Sequence, residues 1–313
     1  MIDAVPSHFG FRFTKTVHYR PSGPTDPANT RLPTPLVVLI TGAGKGIGAA
    51  IALAYATAGA SGIIICSRTQ SDLDTLSQKI HCINKDIKVL AKVADILSSA
   101  DLSALAKDTE QTFGRLDIVV ANAGIISSMI SVGPSERRLP SSIAEDDTAE
   151  DVLSLNLIGT YKTAKIFLPL LQATEGGAKT FIAITSASCH DASTNFCPLS
   201  YNISKLGITR LVEGIHVEQG PKPGESEDGK GVLAYSVYPG AIWSETQEGR
   251  GPLFETFFRD EVGLCGGWLV WLTKERRAWL SGRYLSVNWD VEELEARRGD
   301  VEGGERLMGR MVV

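Results

Sequence analysis

A tyrosine and a lysine, four positions apart, are the strongest chemical feature of this 313-residue chain. Tyr201 and Lys205 lie in a stretch with helical patterning, so their side chains share one helix face. A phenol is a weak acid at neutral pH because its reference pKa is about 10, but a neighbouring ammonium favours the phenolate. The pair therefore predicts a residue that gives or takes a proton during catalysis. Because this spacing is common by chance, the prediction depends on the surrounding residues.

A glycine-rich turn, residues 41–48 (T-G-A-G-K-G-I-G), lies between an apolar run and an alanine-rich helical stretch. Glycines let the backbone approach a pyrophosphate, and a helix N-terminus presents free N–H groups with partial positive charge. The spacing is T-G-x-x-x-G-x-G rather than G-x-G-x-x-G, but the strand-to-helix context supports a phosphate site. The residues predicted to hold the phosphates are Gly42, Lys45, Gly46, Ile47 and Gly48.

The residues after the second apolar run indicate which nicotinamide cofactor binds. NAD enzymes place an acidic residue there, on the ribose 2′-hydroxyl. This chain has Ser67 and Arg68 at that place, and no acid. Arg68 can pair with a 2′-phosphate, and Lys45 of the turn offers a second cation. We therefore expect the cofactor to be NADP(H).

Further polar residues follow the later apolar runs. Asn122 ends the fourth run and Ser186 follows the fifth, where parallel strands present ligand-binding edges. Asn156 lies within a helical stretch, although an amide is a neutral-to-poor helix former. Ser186 fits the strand register and is the preferred active serine, with Ser188 as the alternative. We expect these side chains to lie near Tyr201.

Short apolar runs alternate with longer helical stretches through most of the chain and must position these groups. The runs are rich in Val and Ile and apolar on both faces, which is typical of strands covered by helices on both sides. The connecting stretches are long enough for right-handed crossovers. The sequence thus predicts an α/β fold: a single doubly wound (Rossmann) domain with a mostly parallel seven-stranded sheet and helices on both faces. The runs are residues 36–40, 63–66, 89–93, 116–120, 181–184, 233–237 and 284–287.

The two ends of the chain differ from this alternating part, residues 35–290, which we expect to be the catalytic domain. Repeated prolines in residues 1–34 predict an extended N-terminal arm. Residues 291–313 are a charged C-terminal tail, expected to be peripheral. Two long insertions, residues 127–145 and 244–259, are expected to meet the substrate. Aromatic residues in and beside the second insertion favour an apolar or aromatic compound: Trp243, Phe254, Phe257 and Phe258.

Composition excludes several classes of protein. The net charge of -5 argues against a nucleic-acid partner, and no apolar stretch is long enough to predict a membrane span. The 5 cysteines are odd in number and contain no Cys-x-x-Cys, so neither a disulfide framework nor a metal site is expected. A reducing, cytoplasmic setting fits them better. Cys189 and His190 are adjacent and seldom able to face each other, so a thiol nucleophile is not favoured.

Taken in order along the chain, these motifs resemble the short-chain dehydrogenase/reductase family. The resemblance covers about residues 36–288. It departs from the usual Asn-Asn-Ala-Gly motif only in having Ala121 at its first position. The residues that carry it are those of the 41–48 turn, Asp95, Asn122-Ala123-Gly124, Asn156, Ser186, Tyr201, Lys205 and Pro239-Gly240.

The resemblance implies a role for each matched residue. Tyr201 would be the proton donor or acceptor, and Lys205 would bind the nicotinamide ribose and lower the pKa of Tyr201. Ser186 would orient the substrate carbonyl or hydroxyl, and Asn156 would hold a water in a proton relay. Asp95 would contact the adenine ring. The other implied cofactor contacts are Asn122 and, in the segment that would close over the nicotinamide, Pro239, Gly240 and Ser244.

Segments near both ends, residues 13–16 and 288–294, also resemble a group of filamentous-fungal members of this family, many without an assigned substrate. That resemblance implies a ketoreductase of secondary metabolism and a homodimer or homotetramer. The function expected is therefore an NADP(H)-dependent oxidoreductase acting on a carbonyl or secondary alcohol of a small, apolar molecule. The alternatives are a non-catalytic NADP-binding regulator and an isomerase or dehydratase on the same fold.

Overall fold

Seven strands form the central sheet of the computed structural model, which describes residues 9–133, 137–221, 230–243, 258–302 and 304–310. Their order across the sheet is β3-β2-β1-β4-β5-β6-β7, and every ladder pair is parallel. The order reverses between β1 and β4, which places a ligand crevice at their carboxyl ends. The strands are β1 (Val37–Thr41), β2 (Gly62–Ser67), β3 (Lys88–Val93), β4 (Ile118–Ala121), β5 (Thr180–Ile184), β6 (Leu233–Tyr238) and β7 (Arg283–Ser286).

Helices cover both faces of this sheet, as predicted. One apolar cluster joins the sheet to α1, α2 and α7, and a second joins the opposite face to α3, α5 and α6. The central strands are fully buried because both faces are covered, which explains their continuous apolar sequences. The helices are α1 (Gly46–Thr57), α2 (Gln70–Ile83), α3 (Ser99–Phe113), α4 (Ala149–Leu153), α5 (Thr160–Ala173), α6 (Leu199–Gln219), α7 (Gly263–Thr273), α8 (Val291–Ala296) and α9 (Arg298–Glu302).

The insertion after β4 folds back as a small ribbon. Ile130–Ser131 pairs antiparallel with Arg137–Arg138. Arg138 forms an ion pair with Glu145 at 2.8 Å, and Ser127 donates a hydrogen bond to Asp146 at 3.0 Å. The insertion is therefore fastened to the chain just before α4. Most of the second insertion, residues 244–257, lies outside the described residues, and so does the predicted cofactor contact Ser244.

The C-terminal tail is less peripheral than expected over residues 291–302. Val291, Leu294 and Val301 are buried in the main apolar cluster, because α8 and α9 each turn one apolar side inward. The N-terminal arm lies beside this tail. Val17 forms an antiparallel bridge with Trp289, and the two ends of the chain are thereby joined. Within the described residues, no helix is both long and apolar enough to cross a membrane.

Candidate active site

A cavity of about 760 Å³ opens along the carboxyl edge of the sheet. Its volume falls within the range of small-molecule and cofactor sites. Asn156 does not line it, but most of the predicted site residues do. These are Gly42, Lys45, Gly46, Ile47, Gly48, Arg68, Asp95, Asn122, Ser186, Tyr201, Lys205, Pro239 and Gly240.

The glycine-rich turn forms one end of this cavity. Gly42 and Gly46 have φ angles of 63° and 58°, in the left-handed region that favours glycine. Helix α1 begins at Gly46, so its first N–H groups face the ligand crevice. Gly48 has another reason to be glycine, because an added Cβ would lie 2.5 Å from the Gly42 carbonyl oxygen. Lys45 is exposed at the turn.

Asn122 ties the end of β4 to that turn. Its Nδ2 donates hydrogen bonds to the carbonyl oxygens of Thr41, at 3.0 Å, and Gly42, at 3.2 Å. In return, Thr41 Oγ1 accepts from the backbone N–H groups of Asn122 and Ala123. The Asn122 side chain therefore stabilises the conformation of the turn.

The residues expected to bind the adenosine part lie after β2 and β3. Arg68 is exposed at the cavity, and Asp95 is partly buried, with its Oδ1 accepting a hydrogen bond from the Leu97 backbone at 2.8 Å. Sequence reasoning missed Asp72 of α2, which also lines the cavity. A Cβ added at Gly44 would lie 3.3 Å from an Asp72 carboxylate oxygen. Two acids, Asp72 and Asp95, thus accompany the two cations Lys45 and Arg68.

Tyr201 and Lys205 occupy the first two turns of α6. The Lys205 ammonium is buried, donates a hydrogen bond to the Ile184 carbonyl at 3.0 Å, and lies 5.5 Å from the centre of the Tyr201 ring. Burial lowers the pKa of Lys205 to about 8. The pair is therefore held between the end of β5 and the cavity.

The pKa of Tyr201 moves opposite to the expected direction. Burial raises it well above its usual range, and a hydrogen bond with the Ser186 side chain opposes this only in part. Lys205 is not among the causes, since its ammonium faces the Ile184 carbonyl and itself loses its proton more readily. In this structure Tyr201 is a neutral phenol at neutral pH.

Ser186 lies close enough to Tyr201 for its side chain to oppose the rise in the Tyr201 pKa. Ser186 caps a short 3-10 helix, Ala187–His190, and its Oγ accepts from the backbone N–H of Ser188 at 3.2 Å. The Ser188 hydroxyl also donates to Ser186 Oγ at 3.0 Å. Both serines line the cavity.

Asn156 lies behind the cavity in a π-helical turn, Ser154–Gly159, between α4 and α5. It is fully buried, and its amide exchanges two hydrogen bonds with the Ile125 backbone, at 2.8 and 2.9 Å. A third bond runs from its Nδ2 to Ser204 Oγ at 3.0 Å. Turns of this type concentrate at functional sites. The helical pattern was visible in the sequence, but the widened turn was not.

Gly124 leaves a narrow space between Asn156 and Lys205. A Cβ added there would lie 3.1 Å from Asn156 Oδ1 and 3.4 Å from Lys205 Nζ. Both polar groups therefore face the same backbone position, where any larger residue would separate them.

Asp260 holds the backbone after β6, and sequence reasoning missed it. Its Oδ2 accepts from the Ala241 backbone at 2.6 Å and from Asn288 Nδ2 at 3.0 Å. A Cβ at Gly240 would lie 2.7 Å from the same oxygen, so only glycine fits. Burial raises the pKa of Asp260. The segment expected to close over a nicotinamide is thus anchored by a buried carboxyl group.

Comparison with known proteins gives consistent matches over the whole fold. A family model described as short chain dehydrogenase matches residues 36–251. The chain is 35% identical to short chain dehydrogenase pgmD of Aspergillus terreus, over 100% of this chain and 98% of that protein. It is 33% identical to short chain dehydrogenase mpl6 of Monascus purpureus, over 99% of this chain and 100% of that protein.

Solved structures show the same fold. A putative short chain dehydrogenase from Pseudomonas syringae is 25% identical, with a TM-score of 0.65 over 80% of this chain and 94% of that one. A putative short chain dehydrogenase from Shigella flexneri, complexed with NADP, has a TM-score of 0.67 at 19% identity. That alignment covers 83% of this chain and 99% of the other.

Proposed function

The chain belongs to the short-chain dehydrogenase family of oxidoreductases, and we propose that it uses NADP(H) to interconvert a carbonyl and a secondary alcohol in a small, apolar molecule. The observation that carries this proposal is the placement of Tyr201 and Ser186 in the same cavity as the glycine-rich turn. A group that can give a proton and a group that can orient a carbonyl oxygen are thereby placed beside a dinucleotide crevice.

The residues of the cavity fit a nicotinamide dinucleotide with a 2′-phosphate. The left-handed glycines at positions 42 and 46 open the N-terminus of α1 to the crevice, where a pyrophosphate is stabilised. Lys45 and Arg68 both line the cavity and are exposed at this end. Asp72 and Asp95 also line this end, so the preference for a 2′-phosphate depends on direct pairing with Lys45 and Arg68.

The bound nicotinamide would supply or accept the hydride. Ser186 Oγ, which already accepts a hydrogen bond from Ser188, keeps its own hydrogen for the substrate oxygen or for Tyr201. The Tyr201 hydroxyl transfers its proton to the oxygen that becomes the alcohol. Since burial favours the neutral phenol, the resting protein holds the form that carbonyl reduction needs.

Lys205 and Asn156 would return a proton to Tyr201 after each turnover. Lys205 has a pKa of about 8, so it can lose and regain a proton near neutral pH. Asn156 Oδ1 and Lys205 Nζ face the same gap at Gly124, where a water molecule can join them. Lys205 would also bind the nicotinamide ribose through the donors that its bond to Ile184 leaves free.

Replacement of Tyr201 by Phe tests the assignment, because it removes the hydroxyl and keeps the ring. With NADPH and a panel of ketones, we expect kcat to fall by about 10²- to 10⁴-fold, the usual contribution of general acid–base catalysis. NADPH binding, followed by fluorescence, should be unchanged. Tyr161→Phe is the matched control, since Tyr161 is exposed on α5 away from the cavity. Unchanged turnover in Tyr201→Phe would show that Tyr201 is not the proton donor, and isomer or dehydrated products would refute the reaction class.

A further inference from the structure

The N-terminal arm supplies two aromatic residues to the cavity of Tyr201. Phe9 and Phe11 both line it, with Phe9 buried and Phe11 half-buried. Gly10 between them has a φ of 74°, which a residue with a side chain rarely adopts. Both rings lie on the cavity side of the arm, one on each side of the turn at Gly10.

Phe9 and Phe11 belong to a continuous row of rings, which we call the aromatic wall: Phe196, Phe9, Phe11 and Tyr238. Successive ring centres are 6.1, 6.1 and 5.4 Å apart, and the ring planes cross at 78°, 81° and 69°. These are edge-to-face contacts, in which the positive edge of one ring meets the negative face of the next. All four rings line the cavity, so the row also presents aromatic surface to its contents.

The aromatic wall ends beside the proposed proton donor. Tyr238 is the last residue of β6, and its phenol lies close enough to Tyr201 for the charge of one to raise the pKa of the other. A ligand whose carbonyl reaches Tyr201 therefore lies in the same cavity as Tyr238 and Phe11. The wall is thus in reach of the reacting molecule and is not only a packing cluster.

C-terminal residues hold the arm in this position. Trp289 Nε1 donates a hydrogen bond to the Gly10 carbonyl at 2.9 Å. The Arg297 guanidinium donates to the Phe13 carbonyl and stacks on the Phe13 ring at 4.0 Å. The Glu293 carboxylate accepts from two backbone N–H groups of the arm, at 2.6 and 3.2 Å. With the backbone fixed on both sides of Phe11, the rings are ordered before a ligand binds, which favours selective binding.

We propose that the N-terminal arm makes the site selective for a substrate that carries an aromatic ring close to the reacting carbonyl, held edge-to-face by Phe9, Phe11 and Tyr238. The inference rests on the proposed reaction and adds to it the substrate class and the arm residues that recognise it. A saturated ring of the same size has at least as much apolar surface to bury, so burial alone gives it no disadvantage. Tighter binding of the ligand with the aromatic ring would therefore reflect its contacts with the aromatic side chains of the wall.

The test uses 2-tetralone and 2-decalone, two bicyclic ketones of the same carbon skeleton that differ in whether the outer ring is aromatic. Equilibrium binding is measured by calorimetry on the full-length protein with NADP⁺, which cannot reduce either ketone. We expect 2-tetralone to bind about three- to tenfold more tightly, the effect of one or two aromatic pairs. Phe11→Leu, which stays apolar, should bring the two affinities together. Phe113→Leu is the matched control, because Phe113 ends α3 and does not line the cavity.

The ratio of kcat/KM for the two ketones with NADPH provides a second readout. The proposal is overturned if the wild-type protein does not distinguish the ketones in binding, or if Phe11→Leu keeps the wild-type ratio. If the ratio of the two affinities collapses in Phe11→Leu but neither ketone is reduced, the aromatic wall stands and the proposed reaction fails. If reduction depends on Tyr201 but Phe11→Leu keeps the wild-type ratio, the proposed reaction stands. The role of the aromatic wall in selectivity is then refuted.

Discussion

Lys205 should destabilise the folded protein in a pH-dependent way that can be measured. Its ammonium is buried, and burial lowers its pKa from 10.5 to about 8. Between these pH values the unfolded chain binds a proton that the folded protein has released, so stability rises with pH across this window. Since one pH unit corresponds to about 1.4 kcal/mol, the buried charge costs roughly 3 kcal/mol at pH 7. Most of that cost disappears by pH 10.

Lys205→Met isolates this effect, because methionine keeps most of the length and loses the charge. Urea unfolding at pH 7 and pH 10 gives the free energy of unfolding of each protein. From the lower to the higher pH, the wild type should gain about 2 to 3 kcal/mol relative to Lys205→Met. The lost hydrogen bond to Ile184 is missing at both pH values, so it cancels from the comparison. Lys165→Met is the control, since Lys165 is exposed on α5 and its charge stays in water in both states.

A pH-independent difference between wild type and Lys205→Met would refute the reasoning. It would mean that the folded protein keeps the Lys205 proton through this range, and that burial does not lower the pKa of Lys205. The proposed return of a proton through Lys205 would then lose its physical basis. A difference that instead falls with rising pH would show that the cavity stabilises the ammonium more than it desolvates it.

Two further predictions concern the cofactor and the proton path. Arg68→Ala should weaken NADPH binding by about tenfold or more, the effect of one charge-assisted hydrogen bond, and leave NADH binding nearly unchanged. Fluorescence titration checks this. If NADPH and NADH binding are weakened equally, Arg68 does not bind the 2′-phosphate. Asn156→Ala should lower stability by about 1 to 3 kcal/mol, because the Ile125 backbone loses its partners, and should lower kcat more than it changes KM. A stability loss with unchanged kcat would make Asn156 purely structural.

The sheet could be predicted from the sequence because buried parallel strands leave a direct signature. Each of the seven apolar runs overlaps an observed strand, including β1 and β5, whose residues are all buried. The glycine-rich turn was equally visible, since positive φ angles at Gly42 and Gly46 demand that residue type. The strands and the glycine-rich turn could therefore be predicted from local sequence patterns.

Contacts between distant segments could not be predicted in this way. Phe9 and Phe11 reach the cavity through a turn at Gly10 and contacts with α8, and no periodicity links the arm to Tyr201. The direction of the Tyr201 pKa also escaped prediction. The spacing to Lys205 suggested a lowered pKa, whereas the extent of burial, a property of the whole fold, raises it.

One side chain connects the N-terminal arm to the loop expected to cover the cofactor. Asn288 Nδ2 donates to the His18 carbonyl of the arm at 2.9 Å and to Asp260 Oδ2 at 3.0 Å. Asp260 in turn holds the Ala241 backbone after β6. A ligand that contacts the arm and a cofactor that contacts this loop therefore act on a shared set of hydrogen bonds, and each should favour binding of the other. Removal of the whole arm would disturb both ligands, whereas Phe11→Leu removes only the ring contact with the substrate.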